Sequence, residues 1–139
     1  MSQKTAAAPR MVVSDPSTGK AQTVQLNPQQ MSLLVGKRIG EIIDGAPFGF
    51  KGVVLKITGG TDRDGIPMRP DVSGPRKVRV LLSGGVGLHP REKRPSKRKK
   101  KRARRLVKGL RKRVTIRGNT ISGAIAQINV VMLSKEGGG

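Results

Sequence analysis

The segment from Arg91 to Arg113 constrains this chain most: fifteen of its 23 residues are Lys or Arg, and only Glu92 is acidic. From Lys97 to Arg105 every residue except Ala103 is basic. The 139 residues carry 29 basic and 8 acidic side chains, a net charge of +21, of which this segment supplies +14. Like charges at that density repel, so the segment does not collapse into a core by itself. An anionic partner removes the penalty, and a nucleic-acid backbone, with one phosphate charge per ~1.7 Å of duplex, is the densest polyanion in a cell. The bland alternatives are a solvated tail and a nuclear-localisation patch. Within and just beyond the segment, Ala103, Leu106, Val107, Leu110 and Val114 recur at helical spacing, with Ser96 placed as N-cap and Gly109 near a stop. That spacing predicts a helix whose apolar face packs while its cations point elsewhere.

Composition narrows the rest. The length suits one domain. There is no Cys, which excludes disulfides, thiolate metal sites and a Cys nucleophile. No apolar run approaches the ~20 residues of a membrane span, and the first residues lack the apolar core of a secretory signal. A cytoplasmic protein without membrane partners is expected. Nineteen Gly and nine Pro spread between short β-branched runs favour an all-β class.

Along the chain, residues 1–10 read as a flexible leader and 135–139 as a flexible C-terminus. Strand patterns fall at 11–14, 20–26, 51–58, 77–83, 113–117 and 127–134, with a turn at Asp15-Pro16-Ser17-Thr18-Gly19. Asn27 as N-cap and Pro28 at the first helical position start a short helix that Gly36 ends. Ile39, Ile42 and Ile43 suggest a buried segment, with Gly40 at a close approach. Residues 59–70, with Gly59 and Gly60, read as a loop. The expected fold is all-β: a small barrel of about six short strands with one short helix, spanning 11–134, closed so that no sheet edge is left open. The basic segment 91–113 lies between two strands. It is an inserted, partly helical arm held at both ends.

Catalytic chemistry is sparse. His89 is the only histidine and has no nucleophile elbow to serve. Asp62-Arg63-Asp64-Gly65 matches part of a calcium loop, but the closing Glu and the other spaced acids are missing. Two aspartates holding backbone amides or pairing with Arg is the better account. There is no P-loop; Gly59-Gly60 and Gly84-Gly85 would allow close backbone approach to a phosphate, but turn glycines are the expectation. The expectation is therefore no enzyme, no metal and no cofactor. Only Phe48 and Phe50 are aromatic, too few for a base-stacking platform. Recognition should run through phosphates and RNA shape. The candidate contacts are Arg91, Arg94, Lys97, Arg98, Lys99, Lys100, Lys101, Arg102, Arg104, Arg105, Lys108, Arg111, Lys112 and Arg113 of the arm, with Arg63, Arg69 and Arg117 outside it.

Four stretches carry a resemblance. The run Ile57-Thr58-Gly59-Gly60-Thr61-Asp62-Arg63-Asp64-Gly65-Ile66-Pro67-Met68-Arg69 resembles the signature of small-subunit ribosomal protein six of the archaeal and eukaryotic type. So do Val80-Leu81-Leu82-Ser83-Gly84-Gly85 and Val114-Thr115-Ile116-Arg117-Gly118-Asn119-Thr120-Ile121-Ser122, while Gln127-Ile128-Asn129-Val130-Val131 is similar to that family's last strand. Order and spacing agree over residues 11–134 apart from the arm, which is longer than the family's basic loop. Ile66 stands where an aromatic is common, and the likeness is to the short archaeal form. The resemblance implies a non-catalytic β-barrel on small-subunit ribosomal RNA in the foot of the subunit, beside other ribosomal proteins and not as a homo-oligomer. The competing expectation from charge alone is a free-standing nucleic-acid-compacting protein.

Overall fold

A computed structural model of the chain describes residues 8–89, 91–93, 104–106 and 109–133. Their elements run β1 (Arg10–Asp15), β2 (Lys20–Gln25), α1 (Pro28–Leu34), β3 (Ile42–Asp44), β4 (Val54–Asp62), β5 (Lys77–Leu82), β6 (Arg91–Lys93), β7 (Arg104–Leu106), β8 (Lys112–Arg117) and β9 (Ile125–Met132), with a 3-10 turn at Ala46–Phe48. Five strands form the main sheet in the order β2-β1-β9-β4-β3. All its pairs are antiparallel except β1 with β9, which are parallel. The first and last strands thus close the domain side by side. β5 with β8, and β6 with β7, make two separate antiparallel ribbons.

One face of the main sheet is apolar because alternate residues point the same way. Met11, Val13, Leu55, Ile57, Ile128 and Val130 are each at most 1% exposed. α1 covers them with Met31 and Leu34, and Phe48 and Ile121 join the same cluster. The helix starts as its residues dictate: Pro28 stands at its first turn, and Asn27 donates its backbone N–H to Gln30 Oε1 at 2.9 Å. Gly36, at φ +91°, donates to Ile121 O at 2.9 Å and turns the chain away.

The structure departs from the expected barrel. The sheet stays open, with β2 and β3 as its two edges. Closure would bring those edges together, but α1, which connects β2 to β3 in sequence, packs its apolar side on the core. Residues 59–62 are strand, not loop, since β4 continues through Gly59 and Gly60 against β9 with register shifts on either side. Glycine is needed there for space: a Cβ on Gly60 would come within 2.7 Å of Gln127 O and 2.9 Å of Met68 Sδ. Gly40 is the reverse case. It has open space and a φ of +94° that suits glycine, not a close approach. Ile42 is 61% exposed, because it alternates outward from edge strand β3 while Ile43 is buried.

The arm's described parts are extended as well. Arg104–Leu106 is strand β7, paired with Arg91–Lys93, and Val114 lies in β8, so the helical stripe through Leu106 and Val114 does not form. A strand spaces neighbouring cations ~3.3 Å apart on alternating faces, whereas a helix stacks them at i and i+4. Residues 94–103 and 107–108, and with them Ala103 and Val107 of the stripe, lie outside the described residues, as do the N-terminal seven and 134–139.

Candidate nucleic-acid interface

β5 and β8 pair from Lys77↔Arg117 to Leu82↔Lys112, and β6 and β7 pair between them along the chain. The arm is therefore the far end of one nested hairpin. Its two faces differ. Val78, Val80, Leu82, Val114 and Ile116 share the inner face, where Leu82 and Ile116 are buried. Arg79, Leu81, Arg113 and Thr115 share the outer face and are exposed. Arg79 and Arg113 are diagonal neighbours there, and the exposed Arg111 and Lys112 continue the charge toward the arm.

The root of the hairpin is held by a buried carboxylate. Asp62, 4% exposed at the end of β4, accepts from the backbone N–H of Asp64 and of Ile66, each at 2.9 Å, through Oδ1. Its Oδ2 accepts from Arg117 Nε at 2.8 Å and lies 3.8 Å from Lys77 Nζ. Lys77 also reaches Asp64 Oδ2 at 2.5 Å, and one Arg117 nitrogen donates to Pro75 O at 2.9 Å. Gly65, at φ +82°, makes the tight turn that aims both amides at Asp62. Burial pushes the Asp62 carboxyl up. The Arg117 hydrogen bond, the two amides and the Arg117 charge outweigh it and hold the group below the ordinary aspartate value. Arg69 braces the next connection, with Nε 2.7 Å from Asp71 and another nitrogen donating to Val86 O at 2.8 Å. Backbone bonds between Arg69 and Arg117, and between Arg117 and Pro67, complete the joint.

The family model described as ribosomal protein S6e matches residues 9–106, from the start of β1 through β7. A small ribosomal subunit protein eS6 of Archaeoglobus fulgidus is 46% identical over 128 residues, covering 89% of this chain and 85% of its own length. One of Methanocella arvoryzae is 43% identical over 123 residues, covering 88% and 76%, and one of Methanocaldococcus jannaschii 46% over 121, covering 87% and 79%. The chain belongs to the ribosomal protein S6e family. Its role is accordingly that of a structural component of the small ribosomal subunit, not of an enzyme, and its place is the cytoplasmic ribosome. A free-standing compacting protein is the weaker account for an S6e chain.

Placed on this S6e fold, the sequence-selected cations separate into groups. Arg111, Lys112 and Arg113 are exposed where the arm returns to β8. Arg91, Arg104 and Arg105 lie in the β6–β7 ribbon, while Arg94, Lys97, Arg98, Lys99, Lys100, Lys101, Arg102 and Lys108 lie outside the described residues. Arg69 and Arg117, with side chains 19% and 13% exposed, have their charges engaged by Asp71 and Asp62. Arg63 stands apart. It lines a trough of about 590 Å³ on the open face of the main sheet, together with Arg10, Thr23, Gln25, Thr61 and Gln127. Arg10 Nε donates to Gln127 Oε1 at 3.2 Å there, and Gln127 Nε2 to Asn129 Oδ1 at 2.9 Å.

Sequence reasoning missed Arg79 and Arg10. The signal for Arg79 was present in the alternation Lys77-Val78-Arg79-Val80, whose charged face had to point away from the core. Nothing local marks Arg10, which gains its setting from the pairing of β1 with β9. The two aspartates at 62 and 64 hold amides and cations, as their spacing in a tight turn suggested. Among the described residues no three His, Asp or Glu side chains converge on a point that would hold a metal ion. No helix among them is long and apolar enough to cross a membrane.

Proposed function

We propose that this S6e chain binds and stabilises folded small-subunit ribosomal RNA through backbone phosphates, in company with other ribosomal proteins. The arm and the outer face of the β5–β8 ribbon form the contact. The observation that carries this is the nested hairpin: its outer face presents Arg79 and Arg113, and it leads directly into the most basic segment of the chain. A basic segment returned to the fold at both ends acts at a defined place, unlike a tail. Arg63 and Arg10, beside the trough, add a second and weaker contact. Arg69 and Arg117 contribute by shaping the joint that aims the hairpin.

Phosphate binding predicts a salt law. If about seven of the arm's cations each neutralise a phosphate, log K falls against log salt with a slope of about −5 to −6. Neutralising Arg98, Lys100, Arg102 and Arg105 together should make the slope shallower by roughly 3 units. Salt titrations of both proteins on a ribosomal RNA fragment measure this. Equal slopes would remove the arm from the phosphate contact.

A further inference from the structure

The net charge of the chain avoids one part of it. Residues 21–50 hold two basic side chains, Lys37 and Arg38, and two acidic ones, Glu41 and Asp44, so the entire +21 lies elsewhere. This neutral stretch forms β2 after its first residue, Lys20, and then α1, β3 and the 3-10 turn. It also carries three of the exposed large hydrophobic side chains, Leu33 at 55%, Val35 at 47% and Ile42 at 61%. Between α1 and β3 runs a groove of about 240 Å³ lined by Leu33, Ile42, Pro47 and Phe48, with Lys37 and Asp44 at its rim.

β3 is an edge of the main sheet, and among the described residues no strand pairs with its outer side. Ile57 N donates to Glu41 O at 3.0 Å and Gly45 N to Val53 O at 2.9 Å. Residues 41, 43 and 45 therefore turn their backbone groups to β4, and the alternation of an antiparallel ladder turns those of Ile42 and Asp44 outward. An open strand edge beside an apolar groove is the arrangement in which an added peptide strand gains main-chain hydrogen bonds and a side-chain pocket together.

We propose that the β3 edge and this groove dock an extended segment of a neighbouring small-subunit protein. The segment pairs with Ile42 and Asp44 and seats a bulky aliphatic side chain in the groove. RNA is the poorer occupant: the charges within the stretch cancel, with Lys56 of β4 flanking it opposite Ile42, and the exposed aliphatics offer a phosphate no partner. Asp44 on β3, with Glu41 just before the strand, instead complements a Lys or Arg beside that aliphatic residue. The surface is built from elements other than the arm.

The test places the photo-cross-linker p-benzoylphenylalanine at Leu33, at Ile42 or, as an RNA reference, at Arg113. Each full chain is expressed in cells and recovered in small subunits. The expected result is an adduct from positions 33 and 42 to a peptide of another small-subunit protein, identified by mass spectrometry and the same from both positions. With the probe at Leu33, Ile42→Pro removes the outward N–H together with the isoleucine side chain, and Ile42→Ser removes the apolar contact while keeping the N–H. Each should lower the adduct yield about tenfold while the chain still enters subunits. Adducts to ribosomal RNA, to a second copy of this chain, or none from either position would overturn the proposal. Failure of the Arg113 probe to reach RNA counts against the phosphate interface alone, because positions 33 and 42 are scored on their protein adduct.

Discussion

Asp62 is the one buried charged residue among those described. It is nearly inaccessible, yet it is satisfied by two amides and by Arg117, with Lys77 close by. Removing its charge leaves Arg117 half-buried without a counter-ion, so Asp62→Asn should cost about 3 kcal/mol in a denaturant melt at neutral pH. The sign of the pH effect follows from the lowered pKa. A carboxyl depressed in the folded state adds stability above the ordinary value of 3.8, and that stability is lost as pH falls through the folded value. The wild-type protein should therefore lose more stability than the Asn variant between pH 6 and pH 3, which parallel melts would reveal. Glycines make a second residue-scale case. Gly60 and Gly118 have ordinary φ and no spare room: a Cβ on Gly118 would overlap the Gly74 carbonyl, and one on Gly60 would press on Gln127 O. Gly118→Ala and Gly60→Val should each cost about 1–3 kcal/mol through overpacking, with lower unfolding midpoints.

Among the elements, the β5–β8 ribbon links the core to the charge. Its inner face is held by Leu82 and Ile116, and its outer face carries Arg79 and Arg113. Alternation lets one short ribbon do both, since a strand shows its two faces to two environments. Arg79→Ala with Arg113→Ala should therefore leave folding unchanged and make the salt slope of RNA binding shallower by about 1–2 units. An unchanged slope would place the phosphate contact wholly in the arm. The joint at Asp62 and Arg69 aims this ribbon, so Asp62→Asn should weaken binding with little change in slope, because it removes no cation.

For the whole molecule, the arm is an appendage of a sheet that is paired without it. The first and last strands pair in parallel, and the core draws on β1, α1, β3, β4 and β9. Replacing residues 92–105 by a two-residue turn between the paired Arg91 and Leu106 should keep a cooperative melt at a similar midpoint. It should also abolish most RNA affinity at physiological salt. Loss of folding in that variant would show that the hairpin is part of the core.

Local chemistry was enough for much of this protein. Strand alternation, the Asn27-Pro28 helix start, the turn chemistry of Asp62 to Gly65 and the charge of the arm all depend on neighbours in sequence, and each is readable there. Family membership followed from residues 57–69 and the later strands. What the chain order could not convey was long-range. The parallel pairing of β1 with β9 and the open edges at β2 and β3 arise between residues far apart in sequence, where closure was the expectation. The passage of β4 through Gly59 and Gly60 depends on the room that β9 and Met68 leave for it. Arg117 reads as one more cation in a basic chain; only tertiary contact with Asp62, 55 residues away, makes it a clamp. Charge and periodicity are properties of a sequence, whereas pairing partners are chosen by the packing of the whole.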